Sequence, residues 1–142
     1  MQTQYAALPY RRVAGALFVL LITSRDTRRW IIPKGWPIPT MSPHQTAAKE
    51  ALEEAGVVGR VRKAAVGNYT YMKRLQDGSV VKCRVKVFAL NVQKLNRSWP
   101  ERSQRQRKWV EKNKAAEEVS ELGLRTILRS LSARLASTSK NH

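Results

Sequence analysis

Residues 35–57 read GWPIPTMSPHQTAAKEALEEAGV, and this stretch predicts a breaker-rich loop followed by a well-marked helix. Ser42 is a favourable N-cap residue, the proline after it suits the first helical position, and Gln45 completes a capping box with Ser42. Gly56 suits the left-handed position just beyond a helix C-terminus. These local signals predict a helix over residues 43–55.

Three glutamates crowd one side of this helix. At 3.6 residues per turn, Glu50 lies beside both Glu53 and Glu54, while alanines fill the opposite side. Carboxylates this close repel each other unless a cation neutralises them, and hard divalent cations such as Mg²⁺ prefer carboxylate oxygen. The face is therefore predicted to hold a metal ion. Taken alone, the same spacing also suits an ordinary solvated acidic face.

The residues before the helix predict strands and an irregular loop. Residues 11–23 are rich in β-branched and aromatic side chains and predict one buried strand, and residues 30–32 predict a second, short strand. Three prolines and a glycine in residues 33–39 predict a segment without regular structure. Trp36, in this loop, is predicted either to cover the mouth of a site or to pack within the loop.

The residues after the helix predict a basic hairpin. Residues 57–75 and 79–92 are predicted strands, and Asp77-Gly78 between them is a strong hairpin signal. Apolar residues alternate along the second strand with three basic residues: Lys82, Arg84 and Lys86. One face is therefore predicted to be apolar, and the other to line solvent or a site.

The last part of the chain predicts a basic loop over residues 94–108, a short strand at residues 109–110 and a helix over residues 113–122 that stops at Gly123. Apolar residues then recur at helical spacing: Leu124, Ile127, Leu128, Leu131 and Leu135. A final amphipathic helix is predicted, with a frayed tail over residues 137–142. The order of elements predicts an α/β arrangement, a mixed sheet with helices packed against it.

Composition limits the classes of protein that this chain can belong to. With 142 residues and 42% hydrophobic residues, we expect one globular domain over residues 1–142. The 27 Lys and Arg residues against 10 Asp and Glu residues give a net charge of +17, which attracts nucleic acid, nucleotides and other polyphosphates. Cys83 is the single cysteine, so an intrachain disulfide is excluded. No apolar run reaches membrane-spanning length, and we expect a cytoplasmic protein.

Residues 35–57 resemble the Nudix box, Gly-x5-Glu-x7-Arg-Glu-U-x-Glu-Glu-x-Gly-U, where U is aliphatic. The glycines and the last three glutamates match in register, and the aliphatic positions are also filled: Gly35, Glu50, Ala51, Glu53, Glu54, Gly56 and Val57. Met41 replaces the first glutamate of the box, and Lys49 replaces its arginine. Lys49 keeps the charge without the planar bidentate fork.

The resemblance covers roughly residues 10–130. Short stretches at residues 11–16 and 105–110 are similar to the diphosphoinositol polyphosphate phosphohydrolase branch of the family. Membership implies the Nudix fold, an α+β sandwich in which a mixed β-sheet has helices packed on both sides. It also implies metal-dependent hydrolysis of a phosphoanhydride bond in a small, highly anionic substrate.

The resemblance further implies roles for particular residues. Mg²⁺ or Mn²⁺ would be bound by Glu50, Glu53 and Glu54, with the backbone carbonyl of Gly35 as a further ligand. Glu53 or Glu54 would accept a proton from the attacking water. Acids outside the box are alternatives for this step: Glu101 and Glu111. Substrate phosphates would be bound, by motif position, by Arg12, Lys34, Arg105 and Arg107. Strand faces add weaker candidates: Arg11, Arg25, Arg74, Lys82 and Arg84.

The substrate stays open at this level. A diphosphoinositol polyphosphate or a dinucleoside polyphosphate fits the basic composition best, and nucleoside diphosphate derivatives or RNA 5′ ends are the alternative. An aromatic sandwich would favour a nucleotide, and a pocket of only Arg and Lys would favour inositol phosphates. A catalytically weak module that binds RNA through the basic residues 94–114 is a second class. Nucleic acid is not the favoured partner, no membrane partner is expected, and monomer and homodimer remain equally open.

Overall fold

The computed structural model describes residues 1–138, and the predicted frayed tail falls outside them except for residues 137 and 138. The described residues form eight strands, four α-helices and one 3-10 turn. In chain order they are β1 Gln2–Val13, β2 Ala16–Thr23, β3 Trp30–Ile31, β4 Lys34–Gly35, α1 Pro43–Ala55, β5 Val57–Val61, β6 Gly67–Arg74, β7 Val80–Leu95, the 3-10 turn Arg102–Gln104, β8 Arg107–Glu111, α2 Lys112–Glu118, α3 Leu122–Arg129 and α4 Leu131–Thr138.

All the named strands join one mixed sheet, as the sequence predicts. The main path runs β3-β2-β1-β7-β5, while β4 pairs with β1, β6 with β7 and β8 with β2. The central pair, β1 and β7, is parallel, with Leu8 opposite Ala89. The other pairings between named strands are antiparallel. Where both faces of β1 and β7 are covered, at residues 6–10 and 87–90, consecutive buried residues form continuous apolar runs.

Helices cover both faces of the sheet, which confirms the predicted α+β sandwich. On one face, the alanines of α1 pack with Leu20 and Phe88 in one apolar cluster. On the other face, α2, α3 and α4 enclose a larger cluster that contains Leu8, Val87 and Leu128. None of the helices within residues 1–138 combines the length and the apolar character needed to cross a bilayer.

The helix α1 begins and ends at the predicted residues. Gln45 Oε1 accepts a hydrogen bond of 3.1 Å from the backbone N–H of Ser42, as a capping box requires. Gly56 follows the helix with φ 66°, and its N–H donates to the carbonyl of Leu52 at 3.0 Å. Alanines at positions 47, 51 and 55 are fully buried, so the helix axis lies close to the sheet.

The prediction of one strand over residues 11–23 is wrong. The chain reverses at Ala14 and Gly15, which have φ values of 50° and 83°, and Val13 then pairs with Ala16. Two successive residues with positive φ make a tight hairpin turn, but only Gly15 signals it in the sequence. The strand β1 also extends back to Gln2, a segment for which the sequence analysis predicts no strand, and it forms the centre of the sheet.

The predicted strand over residues 57–75 is divided in two. β5 pairs with the C-terminal half of β7, where Val61 is opposite Leu90, and β6 pairs with its N-terminal half, where Gly67 is opposite Val87. The predicted hairpin between β6 and β7 is confirmed by the hydrogen bond of 2.8 Å from Leu75 N to Ser79 O. The interruption between β5 and β6 lets two separate strands pair with the same edge of β7, because the other edge of β7 pairs with β1.

Two further local predictions are wrong. The loop predicted to lack regular structure contains β4, in which Gly35 pairs with Tyr5 of β1. Gly123 does not end a helix, because α2 already ends at Glu118 and Gly123 lies inside α3. A Cβ atom at Gly123 would lie 2.5 Å from Cβ of Tyr69. This glycine therefore allows α3 to approach β6 and has no role as a helix stop.

Candidate active site

A polar cavity of about 440 Å³ opens between α1, residues 34–38 and residues 101–105. Two glutamates of α1 and four basic residues line it: Glu50, Glu54, Arg25, Lys34, Lys73 and Arg105. The strand pairings place these residues together, since β4 is held beside β1 while α1 packs on the same strand. The cavity thus combines clustered carboxylates with surrounding positive charge.

Glu54 is the most buried acid of the cavity, with 6% of its surface exposed. Its Oε1 accepts from the backbone N–H of Lys34 at 3.4 Å and lies 3.7 Å from Nη2 of Arg105. Burial raises the pKa of Glu54 to about 8; a hydrogen bond with Glu50 contributes to the rise, and Arg105 opposes it. Burial also raises the pKa of Glu50. The buried Glu54 carboxyl group and the half-buried Glu50 carboxyl group beside it therefore resist carrying two negative charges without a cation.

Gly35 supplies the space for the Glu50 carboxyl group. A Cβ atom at residue 35 would lie 2.7 Å from both Oε1 and Oε2 of Glu50, which is too close for a real side chain. The pairing of Gly35 with Tyr5 holds the backbone at this position. The first glycine of the sequence motif is thus explained by contact with a motif glutamate fifteen positions later in the chain.

Glu53 has different surroundings from the other two glutamates. Its carboxylate forms an ion pair with Lys49 one turn earlier on α1, and its side chain is 34% exposed. Glu53 does not line the cavity, and within residues 1–138 no group of three or more His, Cys, Asp or Glu residues is placed to hold a metal ion. The Glu50–Glu54 pair nevertheless fits a hard divalent cation, because it offers buried carboxylate oxygens that lack full charge compensation.

Two of the four residues predicted to bind phosphate reach the cavity. The Lys34 ammonium lies 5.1 Å from the centre of the Tyr71 ring, and burial lowers the pKa of Lys34 while Glu121 and Glu54 oppose that effect. Arg105 donates from Nε to Glu101 at 2.8 Å and from Nη1 to the carbonyl of Thr23 at 3.0 Å. These partners fix the Arg105 guanidinium beside Glu54.

The other two predicted phosphate-binding residues lie outside the cavity. Arg12 is exposed near the end of β1. Arg107 donates from Nη1 to the carbonyl of Ala55 and from Nη2 to the carbonyl of Asn96, both at 2.7 Å, and it lies 3.9 Å from the Trp99 ring centre. Arg107 therefore ties the C-terminus of α1 to the loop after β7.

Replacing Arg107 with glutamine is expected to lower the free energy of unfolding by about 1–3 kcal/mol, because two carbonyl groups lose their charged donor. The exposed Arg12 is the matched control, and R12Q is expected to change stability by no more than about 0.5 kcal/mol. Urea denaturation followed by circular dichroism measures both values. Equal stability of the two variants would contradict the structural role of Arg107.

The acids outside the motif are also separated by the fold. Glu101 lines the cavity through its ion pair with Arg105. Glu111 instead caps α2, accepting from the backbone N–H groups of Asn113 and Lys114 at 3.0 and 3.3 Å. Of these two alternatives for proton transfer, only Glu101 faces the place where a substrate would bind.

The sequence predicted no role for four polar or charged residues that line the cavity: Gln4, Ser24, Asp26 and Lys73. Lys73 is the basic residue among them. It lies on β6, and its ammonium is 5.9 Å from the centre of the Trp36 ring at the cavity mouth. Trp36 is 41% exposed, in agreement with a covering position. Of the weaker candidates for binding phosphate, Arg25 lines the cavity, whereas the others do not: Arg11, Arg74, Lys82 and Arg84. The sequence around Lys73 has no local signal, since its position depends on the pairing of the β6–β7 hairpin with β1.

The structure is thus an α+β sandwich in which an alanine-packed helix presents two glutamates to a basic cavity. No protein-family model matches the chain. The chain is 32% identical over 104 residues to Nudix hydrolase 12, mitochondrial, of Arabidopsis thaliana, an alignment that covers 71% of this chain and 51% of that protein. It is 32% identical over 106 residues to diphosphoinositol polyphosphate phosphohydrolase 3-beta of Bos taurus, covering 73% and 60%.

The fold is also similar to those of solved structures. The crystal structure of C. elegans Ap4A hydrolase superimposes with a TM-score of 0.69 at 22% identity, over 95% of this chain and 98% of that one. The chain belongs to the Nudix hydrolase family. It spans about half the length of three Arabidopsis relatives, at 51%, 52% and 46%.

Proposed function

We propose that this protein is a divalent-metal-dependent hydrolase that cuts a phosphoanhydride bond in a polyphosphorylated substrate. The observation that carries the proposal is the buried Glu50–Glu54 pair, which faces a cavity lined by Lys34 and Arg105. Mg²⁺ or Mn²⁺ would be held by Glu50 and Glu54. The Gly35 carbonyl and Glu53 are the further ligands that the sequence predicts.

Such a cation would neutralise phosphate oxygens and orient a water molecule for attack on phosphorus. The protein's own basic residues extend this charge compensation, since Lys34 and Arg105 lie beside the glutamates and Lys73 lies at the cavity mouth. Glu54 is favoured over Glu53 as the group that accepts the proton of the water, because Glu54 lines the cavity and Glu53 faces Lys49.

Two residues depart from the sequence motif, Met41 and Lys49. Met41 is 37% exposed and offers no carboxylate, so the side-chain ligands that the motif predicts all lie on α1. Lys49 pairs with Glu53, so Glu53 would be a ligand of a divalent cation only without this ion pair. Lys49 keeps the positive charge of the motif arginine but not its planar fork of donors.

For the substrate, we propose a dinucleoside polyphosphate, with a diphosphoinositol polyphosphate as the alternative. The exposed ring of Trp36 at the cavity mouth favours the nucleotide, because every base offers a flat face for stacking. Relatives named for each of these substrates, Ap4A hydrolase and diphosphoinositol polyphosphate phosphohydrolase, support both. The expected cytoplasmic location stays a prediction.

A panel of substrates tests this proposal. The protein is incubated with Mg²⁺, with Mn²⁺ or with EDTA, and with one of four compounds: diadenosine tetraphosphate, a diphosphoinositol polyphosphate, ADP-ribose or a 5′-triphosphorylated RNA. Phosphorus-containing products are then quantified. We expect metal-dependent turnover, with kcat/KM for diadenosine tetraphosphate about tenfold above that for the diphosphoinositol polyphosphate, which has no base, since stacking of one base contributes about 1–3 kcal/mol.

Controls separate the class of reaction from the choice of substrate. The variant W36A is expected to remove the preference for the dinucleotide while turnover of the diphosphoinositol compound persists. A preference that survives W36A would contradict the role of Trp36. No turnover of any compound with either metal would contradict the enzymatic function itself and favour a binding module.

A further inference from the structure

The N-terminal half of β7 presents three basic side chains on the face of the sheet that α1 covers further along. Lys82, Arg84 and Lys86 are exposed, whereas Phe88, the next residue on the same face, is buried in the cluster under α1. The helix α1 therefore covers the sheet at Phe88 and leaves it exposed at residues 82–86. We call Lys82, Arg84 and Lys86 the basic row.

The residues beside the basic row extend a flat, exposed surface. Antiparallel pairing places Met72, Thr70 and Asn68 of β6 directly opposite Lys82, Arg84 and Lys86, and all three β6 residues are exposed. Paired residues of neighbouring strands share one face of a sheet. Met72 is 62% exposed, so the surface offers apolar as well as positive contacts.

Acidic residues are nearly absent from this part of the chain. Residues 57–100 contain ten lysines and arginines and one acid, Asp77, whose carboxylate accepts from Ser79 at the hairpin tip. Within residues 1–138, no member of the basic row forms a salt bridge. The positive potential of this face is therefore not cancelled by neighbouring side chains.

The basic row differs from the cavity in position and shape. Alternation along β6 sends Tyr71 and Lys73 to the opposite face from Met72, and Lys73 lines the cavity while the basic row does not. Alternate residues of a strand are about 6.6 Å apart, so the three cations extend over roughly 13 Å in a line. A line of cations on a flat face matches a linear polyanion, whereas a compact phosphate group requires cations that converge on one point.

We propose that the basic row binds the phosphate backbone of a nucleic acid strand. The row contacts phosphates without reading bases, because its neighbours on β6 are Asn68, Thr70 and Met72. The aromatic residue beside it on β1, Tyr5, packs edge-on against Phe88 at a ring-centroid distance of 6.3 Å. This surface is different from residues 94–114, where Arg105 and Lys108 are engaged by Glu101 and Glu118.

Fluorescence anisotropy with a labelled single-stranded RNA of about 20 nucleotides tests the proposal, since such a strand exceeds the length of the row. The combined variant K82Q, R84Q and K86Q is compared with a control that removes equal charge from other exposed residues, the combined variant R60Q, K63Q and K94Q. Arg60 is opposite Asn91 on the other face of the sheet, and Lys94 lies far along β7 from the row. Circular dichroism verifies that both variants fold.

We expect the variant K82Q, R84Q and K86Q to raise the Kd for RNA roughly tenfold or more at low salt. It should also reduce the slope of log K against log salt concentration by about 2, as the loss of three phosphate contacts predicts. The control should retain the wild-type slope. Equal losses in both variants would show a general charge effect and overturn the proposal, as would an unchanged slope in the first variant.

Two further measurements distinguish other ligands and other sites. Binding of the wild type and of both variants is measured on vesicles with and without phosphatidylserine. If the protein bound anionic vesicles through the basic row but did not bind RNA, the row would be a membrane-binding surface and the proposal would be overturned. Hydrolysis of the preferred small substrate is expected to be unchanged in the first variant. A loss of turnover would connect the row to the cavity and contradict its assignment as a separate site.

Discussion

Replacing Glu54 with glutamine is expected to lower metal-dependent turnover by roughly 100-fold or more, the usual effect of removing a group that transfers a proton. Glutamine has nearly the same shape and can still accept from the backbone N–H of Lys34, which now donates to the Glu54 carboxylate at 3.4 Å. It cannot carry negative charge or accept a proton from water. The assay is the rate of product release from the preferred substrate in Mg²⁺.

Stability measurements separate this chemical effect from misfolding. Burial raises the pKa of Glu54 to about 8, so its charged form is disfavoured in the metal-free fold. We therefore expect metal-free E54Q to unfold at a temperature no lower than the metal-free wild type. Mg²⁺ should raise the unfolding temperature of the wild type and leave that of E54Q nearly unchanged.

Glu117 provides the matched control, because it is an exposed glutamate on α2. E117Q should retain both the turnover and the thermal response to Mg²⁺. If E54Q kept full activity and the same thermal response, the assignment of the Glu50–Glu54 pair as the metal site would be wrong.

Replacing Gly35 with alanine is expected to reduce turnover by about 100-fold, because displacement of a reacting group by about 1 Å is enough for an effect of this size. The new Cβ would lie 2.7 Å from both carboxylate oxygens of Glu50. The backbone at Gly35 is held by its pairing with Tyr5, so the Glu50 side chain is the part that must move. Steady-state kinetics in Mg²⁺ measures the loss.

G78A is a useful comparison for this variant. Gly78 has φ 87° and no atom within 4 Å of a Cβ, so the substitution strains the hairpin turn without touching the cavity. G78A should therefore lower stability while the rate of hydrolysis stays close to that of the wild type. A G35A protein that is as active as wild type would exclude close contact between residue 35 and Glu50 in the working enzyme.

Elements with strong local signals were predicted well. The bounds of α1 follow from Ser42, Gln45 and Gly56, all of which act within one turn of the helix ends. The β6–β7 hairpin follows from Asp77-Gly78 for the same reason. The mixed sheet with helices packed against it follows from the order of these elements, and helices on both faces follow from the resemblance to the Nudix family.

Elements that depend on distant partners were predicted poorly. β1 has weak local signals, and it is a strand because it lies between β4 and β7 and is hydrogen-bonded to both. Lys73 reaches the cavity only after the β6–β7 hairpin has paired with the rest of the sheet. Arg107 was predicted to bind phosphate, but the fold places two carbonyl oxygens within reach of its guanidinium.

The sequence by itself determined that three glutamates share one side of a helix, because residues three and four positions apart are neighbours on any α-helix. It also determined that alanines lie on the opposite side of that helix, where small side chains allow close packing against a sheet. Only the tertiary structure decided which glutamates work together. Packing against β4 and Arg105 places Glu50 and Glu54 together in the cavity, whereas Glu53 pairs with Lys49. The reason is that access to a cavity depends on what packs around a helix and not on the spacing of residues along it.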